Sequence, residues 1–159
     1  MQNKRHLQFD CIVSAPFGAV GLMQQNGQIA IEFISQKLDP KHSDNKTLSH
    51  ISAQIEAYFA DAKNELKPTS KLNGTEYQKR VWQAISAIPR GQVLTYGQIA
   101  HQIGSGPRAV ANACGANNLP LVIPCHRVVA KNGLGGFMQG DPNGLKIKKW
   151  LLNHEGVKV

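Results

Sequence analysis

The 159 residues contain only three cysteines, Cys11, Cys114 and Cys125, too few and too unevenly spaced for a disulfide framework. No C-x-x-C pair is present, so neither a zinc ribbon nor a redox dithiol is expected. No apolar run approaches the roughly 20 residues of a membrane span. The opening MQNKRHLQFD is followed by no apolar stretch of the kind that marks a secretory leader, and the expectation is a cytoplasmic protein, nucleoid-associated if bacterial, with no membrane contact. Acidic residues are scarce in one half only. Residues 1–69 balance seven Lys and Arg against seven Asp and Glu, whereas residues 70–159 set eleven basic residues against Glu76, Asp141 and Glu155, so the whole net charge of +8 lies in the second half. Such asymmetry points to a polyanion whose phosphates gain from neutralisation. A surface that is basic merely for solubility is the plainer alternative.

What the chain does contain sorts into two domains, 1–70 and 71–159. The first reads as α+β. Ala19–Gln24 and Gln28–Ile34 flank Asn26-Gly27, a dipeptide suited to a tight hairpin, and a run near Leu7–Val13 adds a third strand. Leu48, Ile51, Ile55, Tyr58 and Phe59 recur at helical spacing, with a polar loop over Leu38–Lys46 before them. Asp61–Leu72 lacks any apolar period and is the expected linker.

The second domain reads as mainly helical. Thr75 and Gln78 form a capping-box pattern before Val81, Trp82, Ile85 and Ile88, and Pro89-Arg90-Gly91 stops that helix. A short helix over Gly97–Ile103, a Gly104-Ser105-Gly106 turn and a second helix from Pro107 to about Ala116 have the layout of a helix-turn-helix. Many helical hairpins bind nothing. The second helix, however, carries Ala109, Ala111, Ala113, Gly115 and Ala116 with Arg108 at its start, so it is slender enough either to pack tightly on protein or to enter a narrow groove of DNA.

Between Leu121-Val122-Ile123 and Val128-Val129, two apolar runs that read as short buried strands, stand Cys125, His126 and Arg127. An isolated buried cysteine is ordinarily a small hydrophobe. Strand neighbours point to opposite faces, but a turn after Pro124 would let Cys125 and His126 converge. In the last helix Ile147, Trp150, Leu151, His154 and Glu155 follow i, i+3, i+4, i+7 and i+8, which puts a carboxylate on the apolar stripe unless the final turn frays into water. Paired with His126, Glu155 would orient the imidazole that takes the thiol proton, and a nearby cation would draw the thiol below its usual pKa of ~8.5. Spacing alone leaves a protease, an acyltransferase and an alkyl acceptor open.

The run Ile123-Pro124-Cys125-His126-Arg127-Val128 resembles the active-site signature of the O6-alkylguanine-DNA alkyltransferases, the methylated-DNA–protein-cysteine S-methyltransferases. The resemblance extends from Tyr77–Trp82 through Pro89–Gly91, Thr95–Gly97 and Arg108–Val110 to Trp150–Gly156, and more loosely to Ile55–Phe59. It implies direct, single-turnover DNA repair: a methyl or other alkyl group moves irreversibly from O6-alkylguanine, with O4-alkylthymine a second candidate substrate, to Cys125 after the nucleotide is flipped. By the same resemblance His126 is the water-linked base, Glu155 its carboxylate partner, Asn117 the residue holding the turn before the active-site strand, and Tyr96 a contact to the flipped nucleotide that helps protonate guanine. Arg108 would fill the gap in duplex DNA, with Ala109, Ala111 and Gly115 in the minor groove, while Pro120, Val128, Phe137 and Met138 would line the pocket. The family pattern implies a monomer without obligate protein partner, and neither cofactor nor metal; relatives that hold zinc in the first domain use Cys and His, and this chain has only Cys11 there. It departs from the pattern at Met138, after the aromatic of the Gly136–Gly140 loop, and in Asp141–Gly144, which lengthens that segment. Two other classes remain: an alkyltransferase-like binding module, against which the presence of Cys125 argues, and a Cys-His hydrolase, which would leave Arg108 and the charge split unexplained.

Overall fold

The computed structural model describes residues 4–67, 72–138 and 141–159. It divides into two compact units, residues 1–69 and 70–159. In the first, α1 (Lys4–Gln8) precedes β1 (Cys11–Ala15), β2 (Gly18–Gln25), β3 (Gln28–Ile34) and α2 (Lys46–Ala60). The three strands form an antiparallel meander in the order β1-β2-β3. Asn26 and Gly27 both take positive φ, 53° and 76°, which matches the twist of a two-residue hairpin. The expected third strand exists but starts at Cys11, where three consecutive residues are buried; Leu7 belongs to α1 and is 64% exposed.

Asn45 caps α2 by accepting from the Leu48 amide, and the helix buries Leu48, Ile51, Ile55 and Tyr58. Phe59, read as part of that stripe, is only half-buried and meets Phe17 edge-on. The expected linker is not extended at its start. Asn64 donates to the Ala57 carbonyl and the Lys67 amide to Gln54, so residues 61–67 fold back on α2; Pro68–Lys71 lie outside the described residues.

The second unit contains α3 (Glu76–Ser86), β4 (Leu94–Thr95), α4 (Tyr96–Ile103), α5 (Pro107–Gly115), a 3₁₀ turn (Cys125–Arg127), β5 (Val128–Val129) and α6 (Gly144–His154). Thr75 and Gln78 cap α3 reciprocally, and Thr95 and Gln98 repeat the device on α4, so two orphan amides are satisfied at each start. The α3 helix ends at Ser86, ahead of the Pro89 stop, with Ile88 still buried beyond it. Gly104 closes α4 at φ 68°, the left-handed conformation that spares a glycine any Cβ clash, and Pro107 opens α5. Trp82 donates its indole N–H to the Ala113 carbonyl at 2.9 Å, pinning α5 to α3. Around that bond Val81, Ile85, Ile99, Val110, Ile123 and Val128 make the core.

One of the two expected strands around Cys125 is absent. Residues 121–123 make no strand: Leu121 sits at φ 75°, and the backbone bonds locally, Ile123 N–H to Leu119 and Cys125 N–H to Ile123. The Asn117 side chain explains this, since it donates to the Ile123 carbonyl and accepts from the Leu119 amide, taking the bonds a partner strand would use. Val128-Val129 is the other, paired in parallel with β4.

Candidate active site

Cys125 and His126 occupy one 3₁₀ turn, both buried. That is the turn after Pro124 that allows neighbouring side chains to share a site. Asn117 Nδ2 donates to Cys125 Sγ at 3.2 Å, so the residue that shapes the loop also touches the thiol. His126 Nε2 lies 2.7 Å from Glu155 Oε2, and Glu155, the C-cap of α6, is 4% exposed. The carboxylate is therefore inside. Its second partner is Arg127, whose Nε donates to Oε1 at 2.8 Å and Nη2 to Oε2 at 3.2 Å, while Nη1 reaches the Ile88 carbonyl at 2.8 Å. His126 Nδ1 is buried and has no hydrogen-bond partner among the described residues.

The ionisation of this cluster corrects one expectation. Burial, more than anything else, lowers the pKa of His126; the Glu155 hydrogen bond opposes that, and Arg127 and Lys148 add to it. The ring is a neutral base, not the cation that draws down the thiol. Cys125 instead hydrogen-bonds with Cys114 of α5. That bond comes first in lowering Cys114, and it comes first, ahead of burial, in pushing Cys125 well up. The two directions belong to the pair: a thiolate on one sulfur accepts the other's S–H, so the first proton leaves readily and the second with difficulty. Asn117 and the charge of Lys148 favour the negative charge on Cys125.

Tyr96 opens α4, and its hydroxyl donates to the Gly136 carbonyl at 3.4 Å. Burial pushes its pKa up to about 12, so it stays a proton donor at neutral pH. Gly135, at φ 79°, lies so close that a Cβ there would stand 2.9 Å from the Tyr96 ring. Arg108, Ala109, Ala111 and Gly115 share the exposed side of α5, and Arg108 makes no hydrogen bond or ion pair among the described residues.

The remaining candidates are dispersed. Val128 is fully buried in the helical core, and its carbonyl accepts from Lys148. Pro120 is half-buried in an isolated bridge with Ile123. Phe137 and Met138 are half-buried, Met138 at φ 52°; Gln139 and Gly140 of that loop lie outside the described residues.

Sequence reasoning missed three residues. Lys148 is 0% exposed and donates to the carbonyls of Val128, Leu134 and Gly136 at 2.7, 2.5 and 3.2 Å, beneath the rings of Tyr96 and Phe137. Burial lowers its pKa to about 8. The stripe of α6 is rotated from the expected one: Gly144, Ile147, Lys148, Leu151 and Leu152 are buried, while Trp150 and His154 are half-buried and stack on each other. The adjacent Leu151-Leu152 pair was the available signal. Cys114 and the fork of Arg127 left no such trace, because neither follows from spacing.

Against known proteins, residues 76–157 match the family model for the DNA-binding domain of 6-O-methylguanine DNA methyltransferase. A probable methylated-DNA–protein-cysteine methyltransferase of Acanthamoeba polyphaga mimivirus is 39% identical over 150 residues, 91% of this chain and 94% of the relative. The chain belongs to the methylated-DNA–protein-cysteine methyltransferase family. A methylated-DNA–protein-cysteine methyltransferase of Saccharolobus islandicus is 32% identical over 149 residues, covering 93% of this chain and 95% of its own. Among solved structures, the Mycobacterium tuberculosis O6-methylguanine methyltransferase superposes with a TM-score of 0.72 at 32% identity, over 91% of this chain and 90% of that one. A crystal structure of M. tuberculosis OGT in complex with DNA gives 0.72 at 30% identity and the same coverage. As in those methyltransferases, the likeness spans both units, so the family's two-part architecture of a small antiparallel sheet with helix followed by a mainly helical part is present here.

Proposed function

We propose that this chain repairs DNA by transferring a methyl or other alkyl group from O6 of guanine to Cys125, once per molecule. The observation that carries this reading is the buried relay beside the thiol, in which Glu155 holds His126 by Nε2 and leaves Nδ1 without a partner among the described residues. Through a bridging water, Nδ1 takes the Cys125 proton, and the sulfur attacks the alkyl carbon in line. The S–C bond forms as the C–O6 bond breaks, its electrons pass to the guanine, Tyr96 gives the guanine a proton, and the proton held by His126 returns to Tyr96 through solvent. The thioether is too poor a leaving group for reversal. No cofactor or metal has a part in these steps.

DNA enters the proposal through α5. Its exposed Ala109, Ala111 and Gly115 give a thin edge suited to the minor groove, and the free Arg108 projects from its start to replace the flipped nucleotide. Arg127, Lys148 and Glu155 are interior, so seven of the eight excess positive charges are carried elsewhere. The protein acts as a monomer on duplex DNA containing the lesion. Substrate range beyond guanine, including O4-alkylthymine, depends on the loop carrying Phe137 and Met138.

Intact mass after incubation with an oligonucleotide bearing O6-methylguanine tests the reading. One added methyl, lost in C125A, is expected. Lesion binding without a mass change, or repeated turnover, would overturn it.

A further inference from the structure

We infer that Arg127 is a positioning residue for the transfer: by forking onto Glu155 it keeps that carboxylate ionised and so fixes His126 in the one tautomer that can accept the thiol proton. This rests on the proposed function and adds a residue to its machinery.

Glu155 is fully enclosed, and an enclosed carboxylate without a cation takes up a proton. Arg127 removes that option by occupying both oxygens with the Nε and Nη2 fork that a guanidinium supplies, and the bond from Nη1 to the Ile88 carbonyl holds the fork in place. An ionised carboxylate has no proton to give. The 2.7 Å contact between Oε2 and His126 Nε2 must then be an N–H donated by the ring, and in a neutral imidazole this leaves Nδ1 as a bare lone pair. Nδ1 is the ring atom with no hydrogen-bond partner among the described residues. Were Glu155 protonated, its O–H would donate to Nε2 and the ring proton would sit on Nδ1, where it blocks proton uptake from Cys125.

The charged groups acting on the ring are Glu155 from the end of α6, Arg127 from the same turn and Lys148 from within α6. Before transfer the Arg127–Glu155–His126 group is neutral overall. When the thiol proton moves to Nδ1 it becomes singly positive, opposite a thiolate, so charge and protons balance. Arg127 thus restrains the basicity of His126 while guaranteeing its direction. A packing role alone would require none of this.

The test is nitrogen-15 NMR of labelled His126 combined with the rate of reaction with free O6-benzylguanine. In the parent, the proton resides on Nε2 and Nδ1 is bare. R127K keeps a positive charge beside Glu155 but loses the fork, so it retains that tautomer while its rate falls between those of the parent and R127M. R127M moves the proton to Nδ1 and slows transfer on the order of a hundredfold, the scale of a lost general base. A folded R127M with Nε2 still protonated and a parental rate overturns the inference. Should R127M not fold, the parent decides: an ionised Glu155 with Nδ1 bare at neutral pH supports the assignment, while a protonated Glu155 or a proton on Nδ1 overturns it. A parent that alkylates Cys125 with Nδ1 protonated defeats only the role of Arg127; one that never alkylates Cys125 defeats the function on which it rests.

Discussion

The two units bury different chemistry. Every buried polar or charged side chain among the described residues, His126, Arg127, Lys148 and Glu155, lies in the second unit, while the buried side chains of the first are apolar. A sheet and helix closed by Val20, Leu22, Ile31 and Ile55 gain from water exclusion with nothing to neutralise. The second unit gives up part of that gain, because each interior charge must be desolvated and then recovered through partners placed to within tenths of an ångström. One unit is built for stability and the other for a poised proton, and substitutions should separate the two.

The largest effect is expected from E155A, which strands Arg127 and His126 together. It should lower stability by about 3–5 kcal/mol in denaturant melts and abolish alkylation of Cys125. In the first unit, I55A at a fully buried position should cost about 2–5 kcal/mol yet leave the rate with free O6-benzylguanine unchanged in folded protein. A matching loss of rate would break the division of labour.

K148M probes the interior charge through pH. Because the folded pKa of Lys148 is lowered to about 8 from 10.5, the folded state holds fewer protons than the unfolded chain between those values. Stability from this group therefore rises with pH across that window, and its burial penalty is fully present below it. The melting temperature of the parent should gain on that of K148M between pH 8 and 10.5; a constant difference would show that Lys148 is not a buried cation. Smallest on stability is R108A, within about 0.5 kcal/mol for an exposed side chain without partners. Its effect should instead fall on duplex repair and spare the free base, and equal losses on both substrates would sink the finger role.

The same contrast governs what could be read from sequence. Periodicity reports on apolar burial, so the β2–β3 hairpin, the face of α2 and the capped α3 were legible, and a carboxylate on an apolar stripe marked Glu155. Periodicity is blind to a polar side chain that satisfies backbone. The Asn117 bonds that turn residues 121–123 out of a strand are local but carry no apolar period, and the three carbonyls gathered by Lys148 and the Cys114 thiol against Cys125 depend on segments further apart in sequence. Cys125, His126 and Glu155 stood out by their apolar surroundings and helical spacing, and the family signature assigned their roles; their ionisation required the fold.

The place of α6 in the chain has a consequence for how the protein is made. Glu155 and Lys148 both belong to α6, whereas Arg127, His126 and the loop through Gly136 precede it. During synthesis these earlier segments emerge with their interior charges unmatched and cannot settle until α6 arrives. The helix-turn-helix can form first, from local contacts, but the acceptor site matures in a single late docking step. A ribosome stalled before α6 would present a DNA-binding surface attached to an unformed acceptor.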